Sequence, residues 1–443
     1  MCGIIGVYSK DNNNLINNCI TLLKGVQNRG QDSCGITFYN DRQLDIRKTI
    51  GTVDNLIKIL PSAIYTSVMG HVRYITSGGE NSLNHTQPLK SSHDTHCFSV
   101  VFNGNLNTID KWYPDITLDT FGIIKYLSTV RDNMSFQDNI ISFINNIPGV
   151  YCISILYEGE IYLVRDRFGI RPLFISCDNN AYHFSSESSV FNNKIEVQCG
   201  QVIKLGKKGI EYIYNFQKVQ ESKCLFEFVY FMNDRSSFGK ISTDDFRNDC
   251  GKQLSINDNG VNNENNKYSK NNTIVVGCPN SGICSALAYS KHSDLEYVQV
   301  IKKNKKAPRT FILNNNNTRI AALQKKFSYS EDIIKDKVII IVDDSIVRGN
   351  TFKILLEQLR SFKPSGIHIR IASPPVLSQC FYGIDIPTKE ELIYNTFDSE
   401  YKLNKYYNTT SFKYLKVDFF NKKLNNTICT SCFTGEYNEE LNW

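Results

Sequence analysis

The absences in this chain narrow it first. In 443 residues no apolar run approaches the length of a membrane span, so nothing reads as a helix crossing a bilayer. Charge is not concentrated either: 50 Lys and Arg face 44 Asp and Glu, the net charge is +6, and no long basic run gathers it. A nucleic-acid partner is therefore not suggested. Met1-Cys2-Gly3 opens straight into a strand-like segment without a basic, apolar leader, so a soluble, cytoplasmic protein with no membrane partner is expected. The 14 cysteines lack the tight framework of a small secreted domain. Scattered through strand-like and helix-like segments, most are expected to be small core hydrophobes in a reducing compartment.

Asparagine, by contrast, is abundant, with runs at Asn12-Asn13-Asn14 and Asn314 to Asn317 and a low-complexity patch from Asn257 to Asn272. The Asn-x-Ser/Thr matches these runs create carry no meaning in a cytosolic protein. The length suits two domains, each with its own core.

Val338-Ile339-Ile340-Ile341-Val342 is an unbroken β-branched run, which reads as a strand buried on both faces in the middle of a parallel sheet. Asp343 and Asp344 follow it. Ser345, Arg348, Gly349, Asn350 and Thr351 then read as a short polar loop, and Phe352 to Arg360 carries apolar residues at helical spacing. A strand, loop and helix N-terminus in that order form an anion site, because free backbone N–H groups and the helix dipole favour a phosphate. A nucleotide P-loop would need a lysine after its glycine, and none is here. Two carboxylates ahead of the loop instead suit a sugar phosphate, whose hydroxyls and bound Mg²⁺ need acceptors close to the phosphate. The competing reading is a buried strand followed by an ordinary acidic turn. The stretch resembles the phosphoribosylpyrophosphate (PRPP) motif of type I phosphoribosyltransferases, which implies PRPP bound by Ser345, Arg348, Gly349, Asn350 and Thr351, with Asp343 and Asp344 at its ribose and Mg²⁺.

Cys2-Gly3-Ile4-Ile5-Gly6-Val7-Tyr8 reads as a strand at the extreme N-terminus. Removal of Met1 would leave a thiol and a free α-amine on one residue. With an unperturbed pKa of about 8, that amine can serve as base for its own thiol. Asn28-Arg29-Gly30-Gln31-Asp32-Ser33, Gly70-His71-Val72-Arg73-Tyr74-Ile75-Thr76-Ser77-Gly78, Gln87-Pro88 and Phe102-Asn103-Gly104-Asn105-Leu106 follow in order. Together with Cys2 they resemble the N-terminal-nucleophile glutamine amidotransferases; the competing reading is turns of an unrelated β-rich domain. The resemblance implies that Cys2 is the nucleophile, that the Asn103 amide and Gly104 N–H stabilise the oxyanion, that Arg73 pairs with the glutamine α-carboxylate, and that Asp119 holds its α-ammonium. Leu118 and Phe121 replace polar residues usual beside Asp119. Asn28 and Phe102 stand where His is common, and Arg167 where proline is usual. His71 and His85 are read as packing or surface residues, since the terminal amine already supplies a base.

Pro148 to Leu156 and Ile161 to Val164 read as a hairpin around Tyr157-Glu158-Gly159-Glu160. Near Lys223 the pattern changes from many short strands to strands alternating with helices, which argues for a new α/β domain. The expected fold is therefore α/β and α+β in two domains. Residues 1–222 would form the four-layer αββα sandwich of an N-terminal-nucleophile hydrolase. Residues 223–443 would form a type I phosphoribosyltransferase domain with a mainly parallel sheet and a C-terminal tail.

In that second half Ile274 to Cys278 is a buried strand, Pro279-Asn280-Ser281-Gly282 ends it, and a helix follows at Ile283 to Tyr289. The resemblance implies that this loop contacts the pyrophosphate and that the Ser281 hydroxyl helps bind Mg²⁺; Asn280 replaces a usual acidic residue. Lys302 to Phe311 is basic and loop-like. Alone it would be a solvated charge run. Beside two phosphate loops it resembles the lid that closes over PRPP, although Lys306 and Pro308 depart from the aromatic and glycine usual there. Arg319 and Lys326 keep family positions.

Cys429-Thr430-Ser431-Cys432 is a lone C-x-x-C that zinc, redox chemistry or nothing could explain. Cys224, Cys380, Cys429 and Cys432 fall where one branch of the resembling family binds a [4Fe–4S] cluster, with zinc as the rival. The cluster would have a structural role, fastening the C-terminal tail to the start of the second domain.

From Cys2 to about Tyr437 the chain resembles the amidophosphoribosyltransferase family in its iron–sulfur branch. The resemblance implies glutamine and PRPP as substrates, Mg²⁺ and a [4Fe–4S] cluster as cofactors, purine nucleotides as feedback inhibitors, and a homo-oligomer. Asparagine synthetase would need an ATP-pyrophosphatase loop and hexosephosphate aminotransferase a sugar-isomerase domain; the PRPP motif stands in place of both. The rival of a different class is a catalytically silent PRPP or purine-nucleotide sensor.

Overall fold

The structure, a computed structural model, describes residues 2–9, 15–40, 43–61, 65–75, 82–91, 97–106, 109–129, 134–178, 181–217, 221–258, 270–303 and 327–438. Thr76, Ser77 and Gly78, the lid residues from Asn304 to Phe311, and Arg319 and Lys326 lie outside the described residues.

Two antiparallel sheets make the first half. One has seven strands in the order Ile195–Glu196, Phe174–Asp178, Ala181–Ser185, Gly3–Ser9, Ser67–Arg73, Ser33–Asn40, Gln43–Ile50. The other has six, in the order Gly209–Asn215, Gln201–Gly206, Glu160–Arg165, Val150–Tyr157, Phe98–Asn105, Leu89–Lys90. Side chains alternate across each strand, so both faces of both sheets need cover. Ile4, Tyr8 and Met69 of the first sheet meet Val101, Cys152 and Leu163 of the second in one buried core. On the outer face of the first sheet Ile5, Val7, Val68 and Val72 pack with Cys19, Leu22 and Leu23 of helix Leu15–Gly25. On the outer face of the second, Val100, Phe102, Ile153 and Ile155 pack with Ile123 and Leu127 of helix Asp119–Ser128 and Ile140 and Phe143 of helix Phe136–Asn146. Helix, sheet, sheet and helix stack as the expected αββα sandwich. The expected hairpin joins Val150–Tyr157 to Glu160–Arg165, and Glu158 and Gly159 both take positive φ, 49° and 79°, as a twisted two-residue turn requires.

The second half is built on an all-parallel five-stranded sheet, ordered Glu296–Tyr297, Thr273–Gly277, Val338–Asp343, Gly366–Ile371, Ser411–Tyr414. The β-branched run is its central strand. Ile339 and Ile341 face a core completed by Leu355, Leu356 and Leu359 of helix Asn350–Ser361. Ile340 and Val342 face the other core with Ala286 and Tyr289 of helix Ile283–Ser293. That second core also takes in Val150, Phe168, Ile170 and Phe174 from the first half, so apolar packing is continuous from one sandwich to the next.

Three expectations are corrected. Asn350 and Thr351 are not loop but the first residues of the helix Asn350–Ser361; as polar residues they left no mark on the apolar periodicity. Likewise the helix from Ile283 runs on past Tyr289 to Ser293 through polar residues. Lys302 and Lys303 are not loop either. They lie in the strand Ile301–Lys303, paired antiparallel with Phe327–Tyr329, a partner too distant in sequence for local pattern to show.

The tail folds back on the start of the second half. Ile428–Cys429 pairs in parallel with Lys223–Cys224, with Cys224 opposite Cys429. Leu377 N and Ser378 N both donate to the Cys432 carbonyl, at 2.9 and 3.1 Å.

Candidate active site

Cys2 immediately precedes the strand Gly3–Ser9, whose neighbour Ser67–Arg73 pairs so that Ile4 lies opposite His71 and Gly3 opposite Val72. This register brings His71, Arg73 and Tyr74 to the end where Cys2 sits. From the second sheet, Asn103 reaches across: Cys2 N donates to Asn103 Oδ1 at 3.3 Å. The Cys2 thiol is 3.9 Å from the Tyr74 carbonyl oxygen. Burial pushes its pKa up, but the adjacent His71 imidazole, the charge at the amino terminus and the Tyr74 contact outweigh burial and lower it to about 6. At neutral pH the sulfur is mostly the nucleophilic thiolate.

Asn103 is 2% exposed, and its Nδ2 has no hydrogen-bond partner among the described residues. A buried donor left unpaired costs about 1–3 kcal/mol, which an oxyanion in reach would recover. Gly104 follows it on the strand, where a Cβ would lie only 2.0 Å from the Val150 carbonyl oxygen, so no other residue fits. Arg73 is buried, and its backbone oxygen accepts from Asp32 N at 3.0 Å. Burial lowers the pKa of its guanidinium, while the charges of Cys2 and Asp32 oppose that shift. Asp119 opens the helix Asp119–Ser128, and its Oδ2 accepts from Leu106 N at 2.9 Å, just past the Asn103–Gly104 strand.

His71 is more than the packing residue expected from sequence. It is fully buried, with Nε2 at 3.2 Å from the Phe102 carbonyl oxygen, and its ring lies against the Cys2 thiol. The available signal was strand alternation, which sets His71 on the same face as Arg73. His85 stacks edge-on to Phe121 at 6.5 Å in a cleft of about 830 Å³ that also takes Lys48 and Lys90. Burial lowers the Lys48 pKa to about 8. Asn28, in place of a histidine, donates to the Phe231 carbonyl at 2.9 Å, a bond between the two halves of the chain.

The second cluster lies at the carboxyl ends of two neighbouring parallel strands, Thr273–Gly277 and Val338–Asp343. Cys278 N donates to the Val342 carbonyl at 2.8 Å, and a Cβ on Gly282 would sit 2.9 Å from the Asp343 Cα. The Ser281 loop is thereby pressed against the acidic pair. Asp344 N donates to Asp343 Oδ1 at 2.9 Å, and Ser345 Oγ to Asp344 Oδ2 at 2.6 Å. Both carboxylates are buried. Burial, and then the neighbouring Asp344, push the Asp343 pKa well up. Gly349, at φ 76°, leads into the helix that starts with Asn350 and Thr351. Arg348 turns outward and pairs with Glu391 at 2.9 Å. Two carboxylates and a hydroxyl do not cage a cation, but they suit Mg²⁺, which fills its octahedron with substrate oxygens and water.

Tyr230 joins the two clusters, and sequence reasoning had passed it over. It lies in a single π-helical turn, Glu227–Phe231, and is within electrostatic reach of Asp344, Tyr74 and Asp343. The residue is 48% exposed, yet local desolvation of its hydroxyl, followed by those three neighbours, pushes its pKa up. Tyr74, beside the thiol, and the acidic pair thus lie within electrostatic reach of one side chain.

Cys224, Cys380, Cys429 and Cys432 also gather, all as free thiols. Cys432 is within electrostatic reach of Cys380, Cys224 and Cys429, and burial pushes the pKa of Cys224, Cys429 and Cys432 up. Leu225, Phe226 and Phe433 wall the site. Among the described residues no three His, Cys, Asp or Glu side chains are disposed to hold a single metal ion. Four cysteine side chains in one neighbourhood are a donor set that a [4Fe–4S] cluster or a zinc ion could use.

A glutamine amidotransferase domain family matches residues 71–193 and a phosphoribosyl transferase domain family matches residues 257–374. An amidophosphoribosyltransferase of Pyrococcus horikoshii is 30% identical, over 99% of this chain and 96% of its own. One of Methanocaldococcus jannaschii is 29% identical, over 100% of this chain and 98% of its own. Among solved structures, one described as the allosteric regulatory enzyme of purine biosynthesis superposes with a TM-score of 0.88 at 26% identity, covering 98% of this chain and 96% of that one. The glutamine PRPP amidotransferase from B. subtilis complexed with ADP and GMP gives 0.86 at 26% identity, covering 98% and 97%.

Proposed function

This chain belongs to the amidophosphoribosyltransferase family, and from that premise we propose how its residues share the work. The reaction takes glutamine, PRPP and water to 5-phosphoribosylamine, glutamate and pyrophosphate, the first step of de novo purine synthesis. In our reading residues 1–222 release the nitrogen and residues 223–443 use it.

Once Met1 is removed, the positive charge that already lowers the Cys2 pKa moves onto Cys2 itself. The thiolate attacks the glutamine amide carbon, and the carbonyl electrons move onto oxygen, where Asn103 Nδ2 and Gly104 N–H receive them. Arg73 holds the α-carboxylate and Asp119 the α-ammonium. The amine of Cys2 gives its proton to the departing nitrogen, ammonia leaves, and water resolves the thioester to glutamate. An enclosed passage between the two sites would keep ammonia unprotonated, since in neutral water it would be mostly ammonium and non-nucleophilic. At the second site Ser281, Ser345, Arg348, Gly349, Asn350 and Thr351 bind PRPP, and Asp343 and Asp344 hold its ribose hydroxyls. Nitrogen bonds to the ribose C1 as the C1–pyrophosphate oxygen bond breaks. Mg²⁺ held by Ser281, Asp343 and Asp344 would neutralise charge on the leaving pyrophosphate.

Cys224, Cys380, Cys429 and Cys432 are, in this reading, ligands of a [4Fe–4S] cluster that fastens the tail. A cytoplasmic location, a homo-oligomeric state and feedback by purine nucleotides belong to the same reading. The last is supported by the relative solved with ADP and GMP. No helix among the described residues is long and apolar enough to cross a membrane.

The observation that carries the reading is a Cys2 thiol, lowered to about 6, whose backbone N–H is bonded to an Asn103 amide with its Nδ2 unpaired among the described residues. A silent sensor would have no use for either. The test is glutamine-dependent pyrophosphate release by the purified protein against Cys2→Ala. The variant should lose glutamine-dependent turnover and keep turnover with added ammonia. Ammonia-only turnover in the unmodified protein would show the first site to be inert.

A further inference from the structure

Arg171 is fully buried within electrostatic reach of Cys224, Cys380 and Cys429, and two of its nitrogens are without a hydrogen-bond partner among the described residues. Its Nη2 donates to the Tyr382 carbonyl, but Nε and Nη1 have no hydrogen-bond partner among the described residues. The nearest carboxylate oxygen, Glu227 Oε1, is 3.7 Å from Nη1, beyond hydrogen-bond range. Glu227 is also already taken: Arg29 Nη1 and Nη2 donate to its two oxygens at 3.2 and 2.9 Å, while Arg29 Nε donates to Glu187 at 2.7 Å. Two guanidiniums and two carboxylates, all without solvent contact, form this line, and Arg171 is its unspent end. The other charges in its reach are sulfurs, those of Cys224, Cys380 and Cys429.

Two N–H groups of a buried cation without acceptors are costly. Four neutral thiols accept hydrogen bonds poorly, whereas thiolates bound to iron are anionic acceptors, and donors to such sulfurs are a principal means by which a protein tunes a cluster. Arg29 keeps Arg171 in place by occupying the carboxylate to which Arg171 would otherwise turn.

We propose that Arg171 is the hydrogen-bonding and charge partner of the four-cysteine group, donating from Nε and Nη1 to its sulfurs, stabilising its reduced state and slowing its loss to oxygen. This rests on the reading of the four cysteines as cluster ligands. Full-length wild type, Arg171→Met and Arg171→Lys, purified without oxygen, test both. About four irons and four sulfides per wild-type chain are required by the cluster reading. Their absence, or stoichiometric zinc, removes that reading and the proposal with it. With the cluster present, Arg171→Met should shift its one-electron reduction equilibrium at least tenfold toward the oxidised state, about 59 mV lower in potential, and bleach faster in air. An unchanged potential overturns the proposal and leaves the cluster reading standing. Wild type grown on isotope-labelled arginine serves even if the Met variant does not fold. Pulsed EPR of its reduced cluster should show a nitrogen coupling that Arg171→Lys lacks, and labelled and unlabelled spectra that coincide would likewise overturn the proposal.

Discussion

Asn105 Nδ2 donates to the Phe381 carbonyl at 3.0 Å, tying the residue after the proposed oxyanion pair to the loop that carries Cys380. Gly383 on the same loop, at φ 90°, is so close that a Cβ there would lie 2.8 Å from the Gly104 oxygen. The strand of Asn103 and Gly104 and the thiol-bearing loop are therefore seated on each other. Asn105→Ala removes one neutral hydrogen bond, about 1 kcal/mol, and should loosen that seating. Glutamate formed per pyrophosphate released should rise above one. A ratio that stays at one would mean the contact plays no part in coupling the two sites.

Asn103→Ala should lower glutaminase kcat by about 10²–10³, the usual loss when one oxyanion donor is removed, with KM little changed. Steady-state kinetics with glutamine alone provide the check. A loss confined to KM would assign Asn103 to ground-state binding.

A thiol lowered to about 6 is protonated and inactive below that pH and thiolate above it. Glutaminase kcat/KM should climb through pH 6 and level off near neutrality. His71→Asn withdraws the neighbouring ring that helps lower the Cys2 pKa, so the acid limb should move toward higher pH. An unmoved limb would leave the amino-terminal charge and the Tyr74 contact as the determinants.

Asp344→Asn keeps the side-chain shape and removes one carboxylate from the proposed Mg²⁺ site. Phosphoribosylamine synthesis should fall by more than about a hundredfold, some 3 kcal/mol of barrier, while glutaminase activity survives. Parallel assays of the two half-reactions decide it, and equal losses would contradict the division of labour.

Glu227→Gln leaves the guanidiniums of Arg29 and Arg171 without their shared carboxylate in a site closed to water. Breaking a buried pair in this way costs about 3–5 kcal/mol, so the denaturation midpoint should drop markedly even though Glu227 touches no substrate. Isosteric replacement with no loss of stability would mean that water enters the site.

Much of this was open to inspection in the sequence. Five β-branched residues between charged neighbours could only be a strand with both faces covered, and Ile339 and Ile340 duly enter different cores. Cys2, Asn103, Gly104, Asp343 and Asp344 stand out because they sit in the motifs that carry the family resemblance, whose implied chemistry uses those residue types. Residue type and local spacing carry that information, and both are written along the chain.

Contacts between distant segments are not. His71 looked like any strand histidine until a second strand put the thiol against it, and Tyr230 came within reach of both Tyr74 and the acidic pair only when the two halves of the chain packed together. Arg171 is one arginine among many until the fold withdraws water, gives its neighbour's carboxylate to Arg29 and leaves two of its nitrogens without a hydrogen-bond partner among the described residues. Burial and charge balance depend on what the rest of the chain brings to a point, so they exist only once the chain has closed.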